Sequence, residues 1–140
     1  MKLIQHEERA KQLLDFTGLM EGKCYPSDLD GIQCFPCGID GVYDYHDKAW
    51  IFFELKLGDK KLGLGQTILL ERLVKDISCS GKPSIALILE HDIYDTTKNV
   101  LVKDSIVREF YCSNKKIWKP MKHKCTAKTF IPQFLKLISR

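Results

Sequence analysis

The chain has 140 residues, 44% hydrophobic and 29% charged, which describes one ordinary globular domain with no long polar tract to suggest disorder. Its formal net charge of +4 is mild, permitting a nucleic-acid partner without demanding one. No apolar run approaches the roughly 20 residues a membrane span needs, and the opening MKLIQHEERAKQLL is too charged for a secretory leader, so a cytoplasmic location is expected.

Residues 2–20 read as an amphipathic helix. Leu3, Ala10, Leu14 and Thr17 share one face, Ile4 and Leu13 lie at its margins, and Gly18 and Gly22 bracket the exit. Glu7 falls on the same face, either as a solvated residue at the edge of the stripe or as a carboxylate aimed at a metal. A first strand is expected over 25–35, entered through Pro26. There Asp28 and Asp30 alternate onto one side, opposite Leu29, with turn chemistry as the plainer reading of so many Ser, Asp, Gly and Pro residues. Cys34-Phe35-Pro36-Cys37 is a C-x-x-C pair, and His123 and Cys125 are the residues able to complete a zinc site with it. Free thiols are the default for six cysteines in a chain with no sign of export.

The stretch from Gly38 to Gly58 organises everything else. Two β-rich runs, Ile39–Tyr45 and Ala49–Leu57, flank the polar break His46-Asp47-Lys48 and predict a hairpin. A turn centred on Asp47 sets Asp40 and Glu54 nearly opposite one another. Strand alternation then puts Asp40, Glu54 and Lys56 on one face, with Ile51, Phe53, Leu55 and Leu57 on the other. Two carboxylates and a lysine at the end of a buried strand are costly unless something binds between them. A divalent cation is the obvious occupant.

Downstream, residues 58–65 form a glycine-rich basic loop, and a helix is predicted over Gln66–Ser78 with Leu69, Leu70, Leu73, Val74 and Ile77 as its apolar stripe. Gln66 sits in the first turn, where unpaired N–H groups and the helix dipole favour a phosphate. Ser84–Leu89 reads as a buried central strand ending at Glu90-His91-Asp92, with His91 read as a structural hydrogen-bonding residue. Strands are expected at Val100–Val102 and Ile106–Tyr111, an exposed basic segment at Lys115–Pro120, and a closing helix over Thr126–Ile138. The sum is a single α/β domain with a mixed sheet between helices, its core over about 1–92.

The ordered set of Asp40, a hairpin turn, Glu54-Leu55-Lys56 and a helix opening at Gln66 resembles the PD-(D/E)xK nuclease superfamily, the restriction-endonuclease-like αβββαβ core. Gly38-Ile39-Asp40-Gly41 is similar to the string of its Mrr-type restriction endonucleases. Pro26-Ser27-Asp28-Leu29-Asp30-Gly31 resembles the Pro-Thr-Asp-Ile-Asp-Gly of its phage-encoded members. Strand geometry favours Asp40 as the first motif aspartate, whereas the wording of the motif favours Asp30.

The resemblance implies a Mg²⁺- or Mn²⁺-dependent DNA endonuclease, with phage or mobile-element origin open. Asp40, Glu54, Asp30, Asp28 and Glu7 are the candidate metal ligands, and Asp40, Glu54, Lys56 and Gln66 the candidate catalytic residues. Contacts to DNA would come from Lys60 and Lys61, and from Lys115, Lys116 and Lys119, with Trp118 either stacking on a base or buried in the core. Cutting both strands of a duplex would need two sites, which a symmetric homodimer often supplies. The alternative is an inactive nuclease-like fold that binds nucleic acid or a protein partner.

Overall fold

The computed structural model describes residues 39–139. Glu7, Asp28, Asp30, Cys34 and Cys37, the helix expected at 2–20 and the strand expected at 25–35 lie outside the described residues.

The hairpin forms as its pattern requires. β1 (Gly41–Tyr45) pairs antiparallel with β2 (Ala49–Leu57), and Gly41 faces Phe53. His46 and Asp47 take positive φ at the turn, a conformation that Asp and His tolerate better than most residues. The Asp44 carboxylate accepts from the Asp47 N–H at 2.7 Å, and Lys82 pairs with Asp47 from outside. α1 (Leu64–Cys79) then crosses over to β3 (Ser84–His91), which lies parallel to β2 with Glu54 beside Ile88 and Lys56 beside Glu90. A parallel pair needs such a crossover, and a helix supplies it.

β4 (Ile106–Tyr111) and β5 (Trp118–Pro120) add antiparallel strands, giving the sheet order β1-β2-β3-β4-β5. α2 (Ala127–Ile138) closes the chain, with Thr126 capping it through its side-chain oxygen. Among the described residues the architecture is therefore α/β, a mixed five-stranded sheet with one helix on each face.

Alternation along β2 divides its side chains between two cores. Ile51, Ile85, Leu87, Leu89 and Val107 form one, covered by Phe130, Ile131, Phe134 and Leu135 of α2. Phe52, Ala86 and Tyr111 form the other with Leu70 and Val74 of α1. Ser84 ties α1 to β3: its hydroxyl donates to the Val74 carbonyl at 2.7 Å and meets the Ser78 hydroxyl at 2.8 Å. No described helix is long and apolar enough to cross a membrane.

Three expectations are corrected. The strand at Val100–Val102 does not form; Val102–Asp104 is a single 3₁₀ turn that pairs its own backbone groups while Val102 packs on the α2 core. Lys115–Pro120 is not simply an exposed segment. Its second half is β5, an edge strand where Pro120 can sit without breaking a ladder. Finally, α1 begins at Leu64, two positions before Gln66, because Gly63 rather than a side chain ends the loop.

Candidate active site

β2 is apolar at its hairpin end and polar at its far end on the face toward α1. Trp50 and Phe52 pack there against α1, and Glu54 and Lys56 follow on the same face. Glu54 is 2% exposed, so the strand delivers a carboxylate into the protein interior. Extending the hairpin register by one residue beyond Gly41 and Phe53 places Asp40 opposite Glu54. The contacts agree with that extension. The Asp40 N–H donates to Glu54 Oε1 at 3.3 Å, and Asp40 Oδ2 accepts from the Leu55 N–H at 2.7 Å. The aspartate thus continues the ladder with its side chain once the β1 backbone has left it.

From the other side comes α1. Gln66 Nε2 donates to Glu54 Oε2 at 3.2 Å, and Gln66 Oε1 accepts from Lys56 Nζ at 3.0 Å. The amide has a donor end and an acceptor end, and each meets the partner it requires. Asp40, Glu54, Gln66 and Lys56 are therefore linked in one hydrogen-bonded run. Burial pushes the Glu54 carboxyl up to about 7, with the neighbouring Asp40 charge adding to the effect and the Lys56 ammonium opposing it only weakly. Neither carboxylate forms an ion pair among the described residues.

Among the described residues no cluster of three or more His, Cys, Asp or Glu side chains is gathered. Mg²⁺ ordinarily uses one or two carboxylates and keeps several waters, so an acidic pair is within its usual requirement. Two hard-oxygen groups, one of them buried, suit such an ion. Of the zinc set, Cys34 and Cys37 lie outside the described residues, His123 is exposed, and the Cys125 thiol meets the Thr126 carbonyl at 3.6 Å.

The basic residues are spread out. Lys60 and Lys61 are exposed on the loop between β2 and α1, while Lys115 and Lys116 occupy the β4–β5 turn and Lys119 the edge strand β5. They do not gather at one end of the sheet. Trp118 has the plainer of its two readings: its indole N–H donates to Glu71 at 2.8 Å and its ring lies 5.4 Å from that of Tyr111. It packs under α1 as a half-buried residue. His91 is likewise structural, its Nδ1 accepting from the Ile93 N–H at 3.2 Å.

Two larger cavities, of about 640 and 620 Å³, lie elsewhere, and none of the four linked residues lines either of them. Sequence reasoning missed Arg108, which reaches from β4 to the Gly58 and Lys60 carbonyls of the loop. No motif marks it, and only the pairing of β3 with β4 brings it there. Compared with protein-family models, curated proteins and solved structures, the chain matches none of them.

Proposed function

We infer that this chain is a divalent-metal-dependent endonuclease of the PD-(D/E)xK type, hydrolysing phosphodiester bonds in DNA. The observation that carries the reading is the run Lys56–Gln66–Glu54–Asp40, which joins two paired strands and a helix at a buried carboxylate. The element order supports it as well. An antiparallel hairpin, a helical crossover and a parallel strand follow one another in the order ββαβ that such a core would have.

Asp40 and Glu54 would hold Mg²⁺ or Mn²⁺. Such an ion, when bound, acidifies a water and offsets charge on the phosphodiester. The chain's own residues do the remaining work. Lys56 brings an ammonium beside the carboxylate pair, where it orients the attacking water or balances charge building on phosphate oxygen. Gln66 holds both Lys56 and Glu54, so the cation and the acid keep a fixed separation. The first turn of α1 has no acidic residue and no side-chain cap, which leaves its N–H groups and positive dipole end facing any phosphate that approaches.

The test is incubation of purified protein with plasmid, single-stranded and branched DNA, with Mg²⁺ or Mn²⁺ and with chelator. Glu54→Ala serves as the control. Metal-dependent cleavage by the wild type, lowered at least about 100-fold in the variant, is expected. Equal inertness of the two proteins across the panel sinks the proposal, and DNA binding without cleavage would transfer the fold to the class of binding modules.

A further inference from the structure

Arg108 owes its position to an irregularity in the sheet. Between β3 and β4, Ile88 faces Glu109 whereas Leu89 faces Val107, so Arg108 is an extra residue in β4. Such a bulge lets two consecutive side chains share a face. Arg108 and Glu109 both line a cavity of about 460 Å³ together with Ile88, Lys61 and Thr67. Ile88 is the register partner of Glu54, so this is the sheet face that carries the acidic pair. Val107 and Phe110, on either side, keep their places in the core under α2.

The guanidinium binds backbone. Its Nη1 donates to the Gly58 carbonyl at 3.2 Å, its Nη2 donates to the Lys60 carbonyl at 2.6 Å, and the Glu90 carboxylate lies 3.7 Å away. Both carbonyls belong to the connection between Lys56 on β2 and Gln66 on α1. That connection contains Gly58 and Gly63, and among the described residues its other ties are the Gly58 N–H to the His91 carbonyl, a local bond from the Lys60 N–H to the Leu57 carbonyl, the Thr67 N–H and hydroxyl to the Gly63 carbonyl, and Leu62 packed on the core under α1. Leu62 and Gly63 anchor the helix end of the loop, so the freedom left to lose lies in the glycine-bearing stretch from Gly58 to Lys61, where both Arg108 bonds fall. A planar fork that satisfies two carbonyls at once restricts it in a way that a single ammonium cannot.

We propose that Arg108 is a positioning residue, fixing the β2–α1 loop so that the Gln66 amide spans Lys56 and Glu54. Its effect on cleavage rests on the nuclease reading, whereas its effect on the Gln66 contact does not.

The experiment uses the full chain with Arg108→Ala and Arg108→Lys, following amide hydrogen exchange over residues 58–66 and the Gln66 side-chain amide resonances. For Arg108→Ala, loop exchange should rise at least about tenfold while Ile85–Leu89 stays protected, and the Gln66 resonances should move to free-amide positions. Arg108→Lys should restore part of each change. In cleavage assays, kcat should fall about 10- to 100-fold with KM for DNA held within about threefold, and Arg108→Ala should add nothing further to Gln66→Ala.

Unchanged Gln66 resonances and loop exchange in Arg108→Ala would overturn the proposal, as would a cleavage loss fully additive with Gln66→Ala. If Arg108→Ala does not fold, Arg108→Lys decides by the same resonances. A wild type that cuts no DNA removes the nuclease reading, yet the Gln66 resonances still decide the role of Arg108.

Discussion

Glu54 is the residue on which the proposed chemistry turns, and its protonation can be followed without any substrate. Its carboxyl titrates near 7 in the folded chain against about 4.5 in the unfolded one, chiefly because it is buried. Between those values the folded state holds a proton that the unfolded state has released, so stability declines as pH rises. In chelator, wild-type protein should lose about 2–3 kcal/mol from pH 4.5 to pH 7.5 relative to Glu54→Gln, which keeps the shape without the charge. Urea midpoints of the two proteins against pH measure this, and parallel curves would mean that Glu54 titrates normally. Lys56 makes a different prediction. It is only half-buried and has a single side-chain hydrogen bond among the described residues, so Lys56→Ala should change stability by less than about 1 kcal/mol. Cleavage should nonetheless fall at least about 100-fold, a split that denaturation and kinetics read separately.

At the level of strands and helices, Gly41 shows how closely β1 is fitted to β2. A Cβ built at Gly41 would meet the Phe53 ring atoms at 2.0–2.6 Å, because that ring lies across the glycine. Gly41→Ala must push the ring aside, at about 1–3 kcal/mol, and should disturb Asp40 next to it. Adding Phe53→Leu should recover most of the lost thermal stability, and no recovery would locate the strain elsewhere. The same hairpin shows why part of the site was legible in advance. Its turn residues and strict alternation fix a register, and a register determines which carboxylates face one another. Gln66 was legible only through the resemblance, since nothing in a helix start tells which strand side chain it will bind. Trp118 could not be placed, because its direction depends on β5 pairing with β4, a strand of three residues with no pattern of its own. Arg108 escaped for a related reason: a bulge arises from the meeting of two strands and leaves no mark in either alone.

For the whole molecule, a bound dication and the folded state should reinforce each other. An ion that binds the native acidic pair and not the unfolded chain stabilises by mass action. Because it must displace the proton held by Glu54, millimolar Mg²⁺ should raise Tm more at pH 8 than at pH 6 and leave Glu54→Ala unmoved at both. A pH-independent rise shared by the variant would indicate binding elsewhere. The parallel seam between β2 and β3 has a kinetic consequence too. Trp50 meets Ser84 across the whole of α1, so the centre of the sheet closes only after a long stretch of backbone has folded back. Distant pairings of this kind slow the search, and the rate-limiting nucleus is expected to contain α1 docked on β3. Val74→Ala should therefore retard refolding in stopped-flow experiments, whereas Gly41→Ala should mainly hasten unfolding. On this view the acidic pair assembles on the native side of the barrier, as a late fitting on a sheet already closed.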